Sequence, residues 1–277
     1  MTTVDLERVA QVLADVAEQE VLPRWRNLAQ GEVREKTGPN DLVTIADEAA
    51  ERALAARLPA LVPGSVLVGE EGVERDAGLL GLLQGDAPVW IVDPIDGTKN
   101  FAEGSERFAI MVALVERDRT LAAAIYEPVT RHVLLAEQGG GAELVEDGRR
   151  RRLQVAEPAG LDVMQGSISF RFIPDETIRK AVRAHADAVL PGRHYRRGCA
   201  AYDYRMLAAG EWHFAYYSKN MPWDHAPGLL IHAEAGGHAA RLDGRPYRPS
   251  ELAGGILAAP DAAGWQALRQ SVLGPIA

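Results

Sequence analysis

Residues 90–101 read Trp90-Ile91-Val92-Asp93-Pro94-Ile95-Asp96-Gly97-Thr98-Lys99-Asn100-Phe101. Trp90, Ile91 and Val92 end a short continuous apolar run of the kind a buried strand makes, and an acid follows at once. The expectation is a strand that stops at Asp93. Pro94 fixes its own φ and biases Asp93 toward an extended backbone, so the chain turns sharply before Asp96 and brings a second carboxylate beside the first. Gly97 has no Cβ to block a ligand, and Thr98 offers an N–H and a hydroxyl where a new helix or turn begins. Asp, Pro and Gly are ordinary turn residues. Two acids, a glycine and a hydroxyl in this order on a strand end point further, to a place that holds cations and a phosphate together.

Acids recur at other element ends. Upstream, Leu6, Val9, Leu13, Val16 and Ala17 are spaced three and four apart, predicting an amphipathic helix with Asp5 and Glu7 at its positive end and Pro23 closing it. Residues 36–47 read as a polar loop running into a second helix that carries Ala50, Ala53, Leu54 and Leu58. Thr44 and Asp47 have the spacing of a capping box, which gives Asp47 a structural role to set beside any chemical one. Residues 65–69 predict a short strand ending in Glu70 and Glu71. Residues 109–116, 121–126 and 132–137 predict an antiparallel meander.

Beyond these strands the pattern alternates. Strands are expected at 163–169, 193–197, 214–217, 238–242 and 255–259, and helices at 176–190, 201–209, 227–234 and 262–272. Asp224 stands just before the expected helix at Pro227, where its ordinary role is an N-cap. The class is α/β or α+β, with sheets covered by helices.

The chain has 277 residues, enough for one large unit or two closely joined lobes, about 1–150 and 151–277. The nearest thing to a seam is the charged stretch 146–158, which contains four consecutive arginines, 149–152. A formal charge of -9, from 30 basic and 39 acidic residues, lacks the basic footprint of a nucleic-acid binder. Cys199 is the single cysteine, which excludes an intramolecular disulfide and a thiolate metal cage. With no basic leader before an apolar run and no long uncharged apolar stretch, the expectation is a soluble cytoplasmic protein that does not enter a membrane.

Glu70, Asp93, Asp96 and Asp224 converge if the strand ends and the helix start share one rim of the fold. Two carboxylates about 4 Å apart repel by roughly 4 kcal/mol at an effective dielectric near ~20, so such a cluster raises its own pKa values or takes up cations. Oxygen ligands suit a hard ion such as Mg²⁺ better than zinc, and the chemistry expected is phosphoryl transfer to water. An aspartyl-nucleophile mechanism of haloacid-dehalogenase type needs its two acids two residues apart, and here they are three apart. The run Gly139-Gly140-Gly141 lacks the Lys-Ser/Thr of a P-loop and reads as a turn.

With these residues in place, the chain resembles the inositol monophosphatase family of magnesium-dependent, typically lithium-sensitive phosphomonoesterases. The resemblance rests on residues 41–47, 69–71, 90–101, 223–228 and 234–237, three acidic motifs in a specific order and spacing. It implies a layered αβαβα fold, usually assembled as a homodimer, with two or three Mg²⁺ per site. Carried over, one ion is held by Glu70, Asp93 and the backbone carbonyl of Ile95. A second is shared by Asp93, Asp96 and Asp224, and a weaker third is held by Glu70 and waters. Thr98, Glu70 and Asp47 then orient and activate the attacking water, while the N–H groups of Gly97 and Thr98 hold the phosphate and Asp224 contacts the substrate.

Departures bear on the substrate, a small phosphorylated metabolite. Inositol-specific members carry a glutamate several residues before the Trp-Asp pair, where Tyr217 or Ser218 stands here, and its loss points away from inositol. Lys99 follows the threonine, as in some members acting on histidinol phosphate, phosphoadenosine phosphate or fructose bisphosphate. Pro227 replaces an alanine of the Trp-Asp motif. Arg171, Arg196, Arg197 and His225 are candidates for the leaving-group pocket, beside their ordinary solvated or structural roles. A regulatory RNA- or protein-binding member of the same fold is the alternative of a different class.

Overall fold

The apolar residues near the N-terminus fold into α1 (Leu6–Val16), capped by Asp5, whose side chain accepts from the N–H groups of Glu7 and Arg8 at 3.0 and 3.3 Å. A π-type turn, Ala17–Val21, continues it, and the helix is over before Pro23. The computed structural model of the chain describes residues 3–29, 31–38, 41–170, 173, 175–195 and 197–276. Arg171 and Arg196 of the expected leaving-group pocket lie outside the described residues, as do Pro39 and Asn40 of the expected loop.

That loop is in fact a hairpin. Strands β1 (Val33–Gly38) and β2 (Asp41–Thr44) pair antiparallel and lead directly into α2 (Ile45–Arg57). Their mostly polar residues follow no period of two, so backbone pairing leaves little trace in the sequence. The short strand β3 (Val66–Gly69) passes into α3 (Glu70–Arg75), so Glu70 opens a helix as well as ending a strand.

Strand β4 (Val89–Asp96) does not stop at Asp93 as expected but continues through Asp96, and α4 (Thr98–Ala102) follows. Its partner is β5 (Ala109–Glu116), and the register shifts between the Asp93–Met111 and Asp96–Ala109 pairs. This bulge accommodates Pro94, which has no N–H for a regular ladder.

The meander continues as β6 (Arg119–Glu127), β7 (His132–Glu137), β8 (Gly141–Glu146) and β9 (Arg149–Arg152). The arginine run expected at a seam is therefore an edge strand. Asp147 and Gly148, at φ of 49° and 73°, close the Glu146–Arg149 pair as a two-residue turn. All four arginines are exposed, which removes the alternation a strand normally shows, and charge on an open edge discourages strand addition. The seven strands lie in the order β3 to β9, with only the β3–β4 pair parallel.

A second sheet is built from β10 (Gly166–Ser169), β11 (His194–Tyr195), β12 (Phe214–Tyr217), β13 (His238–Arg241) and β14 (Ile256–Ala259), ordered β11-β10-β12-β14-β13. Between its strands run α5 (Glu176–Val189), α6 (Ala200–Ala208) and α7 (Pro222–Glu234), with α8 (Ala262–Ser271) last. The start of α7 at Pro222 corrects the expectation for Asp224. It sits inside the first helical turn rather than ahead of the helix, with the proline at the first position where its missing N–H costs nothing.

The cores give the layering. One packs α1 and α2 on one face of the large sheet through Val9, Leu13, Ala50 and Leu54 against Trp90, Val92 and Ile110. A second lies between the sheets, where Tyr204, Leu207, Leu229 and Ile231 of α6 and α7 meet Met111 and Ile125 on one side and Ala215 and Ala258 on the other. A third packs Val182 and Ala186 of α5 and Trp265 and Leu268 of α8 on the far face of the small sheet. The order is helix, sheet, helix, sheet, helix, the αβαβα arrangement expected.

Candidate active site

The bulge in β4 aims two carboxylates at one place. Asp93 Oδ1 accepts from the Ile95 N–H at 3.0 Å, an Asx turn that fixes its rotamer across the proline. Gly97 follows at φ +87°, and a Cβ there would lie 2.9 Å from the Arg107 carbonyl oxygen and 3.1 Å from Cys199 Cβ. Only glycine fits this corner. Thr98 begins α4, its hydroxyl 3.0 Å from the Ile95 carbonyl oxygen and 3.1 Å from Asp47 Oδ1. With one proton to donate, it serves one of these acceptors at a time.

Asp47 holds two roles at once. Its Oδ2 accepts from the Thr44 N–H at 2.8 Å and the Thr44 hydroxyl at 2.6 Å, completing the capping box of α2, while Oδ1 faces Thr98. Burial pushes its pKa up to about 7, against the Thr44 hydrogen bonds and with help from the nearby Glu70 charge. Glu70 meets Lys36 of the hairpin, whose Nζ lies 3.0 Å from Glu70, 2.6 Å from Glu71 and 3.2 Å from Glu74. Burial works against the Lys36 charge, but Glu70 and Glu71 outweigh it and hold the ammonium protonated.

Asp224 reaches the same cavity from α7, where its charge acts on Asp93. Burial first, then the Glu70, Asp96 and Asp224 charges, pushes Asp93 well above the usual carboxylate range. Burial, Glu70 and Asp96 do the same to Asp224. Asp96 is also raised by burial, but α6 opposes this: Oδ2 accepts from the Ala201 N–H at 2.6 Å and from the Cys199 thiol at 2.9 Å. One oxygen of Asp96 is thus clamped by the start of a helix whose positive end favours the charge.

All four acids border one cavity of about 240 Å³, together with Ile95, Gly97 and Thr98. Asp47 joins it through Thr98. Among the described residues, no three acidic, histidine or cysteine groups stand ready to hold an ion as they are placed. Arg197 borders the cavity, its guanidinium 4.9 Å above the Trp212 ring. His225 also borders it, but its Nε2 donates to the Lys219 carbonyl at 2.8 Å and its Nδ1 accepts from the Tyr204 hydroxyl at 3.1 Å. Both ring nitrogens are taken, and burial depresses its pKa to about 4, so it is a neutral structural residue.

Tyr217 and Ser218, the two candidates for the place of the missing glutamate, both line the cavity. Sequence reading missed Lys36, Cys199 and Asp203 as site residues. The first pair are legible only in three dimensions, since nothing in a lone lysine or cysteine marks its partners. Asp203 had a signal, an acid on the buried face of α6.

The description "Inositol monophosphatase family" belongs to a family model that matches residues 4–273. The chain belongs to that family. An inositol-1-monophosphatase of Rhizobium meliloti is 34% identical over 246 residues, covering 84% of this chain and 86% of its own. The protein called Nus factor SuhB in Vibrio cholerae is 33% identical over 205 residues, covering 72% of this chain and 71% of its own. Among solved structures, an inositol monophosphatase of Thermotoga maritima superposes with a TM-score of 0.79 at 26% identity, covering 98% of this chain and 97% of that one. SuhB of Mycobacterium tuberculosis does so at 0.73 and 27%, covering 98% and 95%. The chain is thus a phosphoric monoester hydrolase by family, with the layered fold that the resemblance implied. Among the described residues no helix is long and apolar enough to cross a membrane.

Proposed function

We propose that this inositol monophosphatase family member is a Mg²⁺-dependent phosphomonoesterase acting on a small polyol, sugar or amino-alcohol phosphate. The observation that carries this reading is the convergence of Glu70, Asp93, Asp96 and Asp224, from separate elements of the fold, on one cavity. The donor set fits hard divalent ions: it is all oxygen, largely buried and self-repelling. Glu70, Asp93 and the Ile95 carbonyl would hold one ion, and Asp93, Asp96 and Asp224 a second, with Glu70 and water holding a third. Ions bound there supply charge neutralisation and Lewis acidity for phosphoryl transfer to water.

The chain's own residues do the rest. Thr98, tethered to Asp47 Oδ1, and Glu70 orient a water for in-line attack, and Asp47 takes up the proton that Thr98 relays. The N–H groups of Gly97 and Thr98, presented by the left-handed corner, hold phosphate oxygens. Asp224 faces the leaving group. A cytoplasmic homodimer is the state expected of such an enzyme, and a solution mass of one chain by light scattering would contradict the dimer.

Phosphate release from inositol 1-phosphate, histidinol phosphate, phosphoadenosine phosphate and fructose bisphosphate, with and without Mg²⁺, tests the reading. Turnover that survives complete chelation, or none with any ester, rejects it. A second reading, a regulatory binding protein, draws on the relative called Nus factor SuhB. Salt-sensitive RNA binding without metal-dependent hydrolysis would favour it, and the formal charge of -9 weighs against it.

A further inference from the structure

The four arginines of β9 take no part in the chemistry above, and the fold makes them an open strand edge. β9 is the last of the seven strands, and among the described residues it pairs with β8 alone. The two-residue turn makes Glu146 and Arg149 a hydrogen-bonded pair and Leu144 and Arg151 the next such pair. The N–H and C=O groups of Arg150 and Arg152 therefore point away from β8, to the free edge. Their side chains are engaged on one face of the sheet, Arg150 with Glu7 and, at 3.1 Å, with Glu143, and Arg152 with Glu143 at 3.9 Å.

The other face differs. Arg149 and Arg151 share it, two residues and roughly 7 Å apart along the strand. Both are exposed, and among the described residues neither forms an ion pair. Glu146, directly across from Arg149, turns instead to His132 at 3.0 Å, and the residue across from Arg151 is the apolar Leu144. Backbone groups free to pair thus run beside two guanidinium groups set at the side-chain spacing of a strand.

We propose that β9 is a docking edge for an acidic segment of another protein, added as an eighth, antiparallel strand with Asp or Glu at alternate positions beside Arg149 and Arg151. The main chain supplies affinity in such an addition, and the alternate side chains supply selectivity. A second copy of β9 would set arginine against arginine, so the charge that guards this edge against its own kind selects an acidic strand. Nucleic acid would meet the charge but leave the peptide groups unpaired, and the formal charge of -9 opposes it. None of this depends on the phosphatase reading.

Fluorescence anisotropy with a labelled peptide, Thr-Glu-Val-Glu-Val-Glu-Thr, tests the proposal on the full chain. Replacing both arginines, Arg149→Ser with Arg151→Ser, should weaken binding by about tenfold. In an antiparallel strand with its glutamates beside these arginines, the valine N–H groups face β9. N-methylation of the two valines keeps the charge and removes those donors, and should also weaken binding by about tenfold, while methylation of the glutamate nitrogens should leave it near the parent value.

No binding at about 1 mM peptide, equal affinity for wild type and the double variant, or equal affinity for the two methylated peptides overturns the proposal. Tighter binding of a short single-stranded RNA than of the peptide overturns the choice of partner. Both replaced side chains are exposed, so the double variant should melt with wild type. If it does not fold, the methylated peptides on wild-type protein decide alone.

Discussion

Asp93 and Asp224, one from a bulged strand and one from the first turn of α7, border the same cavity close enough for the Asp224 charge to act on Asp93. Each is held well above the ordinary carboxylate range, chiefly by burial and then by neighbouring charge. Such a pair is an unfavourable thing to keep charged. On the proposed function, a divalent cation bound between them would relieve that cost.

The first prediction concerns pH. A carboxylate whose folded pKa exceeds its unfolded value, near ~4, binds more protons in the native state, so stability is lost as pH rises between the two values. Asp47, Asp93 and Asp224 all have this sign, and for Asp47 the upper limit is about 7. Chelated protein should therefore lose melting temperature between about pH 5 and pH 8. Mg²⁺ should restore it, with an increment that grows across the window. A chelated protein whose melting temperature is level over this range, or one that Mg²⁺ leaves unmoved at pH 8, would contradict the proposed relief of these acids by a bound ion.

Asp96→Asn separates chemistry from fold. The amide oxygen can still accept from the Ala201 N–H and the Cys199 thiol, so the clamp from α6 survives while the charge is lost. We expect kcat/KM to fall by about a thousandfold, roughly 4 kcal/mol of transition-state stabilisation. Melting of the chelated variant should be equal to or above that of wild type, because a repelling charge has gone. Near-normal turnover would remove Asp96 from the ligand set.

The α/β class and the acids at element ends were legible in the sequence for a reason that shows in particular residues, while the layering came from the family resemblance. Trp90, Ile91 and Val92 form a strand buried on both faces, so their run of apolar residues is unbroken and the acids after it stand out. The meander 109–137 is read the same way. What escaped lacked a period. β9 is four exposed arginines whose strand identity comes from pairing with β8 and from the Asp147-Gly148 turn, a hairpin signal outweighed by the charge run. Helix α7 was entered too late because Pro227 resembles a helix start, while Pro222 holds that place and Pro227 lies within the helix. Among the site residues, Asp47 serves both the cap and Thr98, so neither reading of its spacing was wrong by itself.

Thr98 provides a test of proton handling. Thr98→Val removes the hydroxyl that faces Asp47 Oδ1 while preserving shape and the backbone N–H. Loss of a positioned proton-transfer group typically costs about 10²–10⁴-fold, so kcat should drop by about a hundredfold or more with little change in KM. Thr98→Ser keeps the hydroxyl and should recover most of the rate. Equal loss in both variants would mean that packing of the methyl group, not the hydroxyl, is what matters.

Gly97→Ala probes the corner that joins β4 to α4. The residue sits at φ +87°, where an alanine is strained whatever the space, and its Cβ would lie 2.9 Å from the Arg107 carbonyl oxygen. Strain of this kind costs about 1–3 kcal/mol, and here a backbone atom rather than a flexible side chain would have to move. Urea unfolding of the chelated variant should show a loss within that range. The same shift displaces the N–H groups of Gly97 and Thr98 that are proposed to hold the phosphate, so KM for any phosphate ester should rise, and competitive inhibition by inorganic phosphate should weaken in parallel. A variant destabilised as expected but with unaltered phosphate inhibition would keep the steric argument and remove these two N–H groups from the anion site.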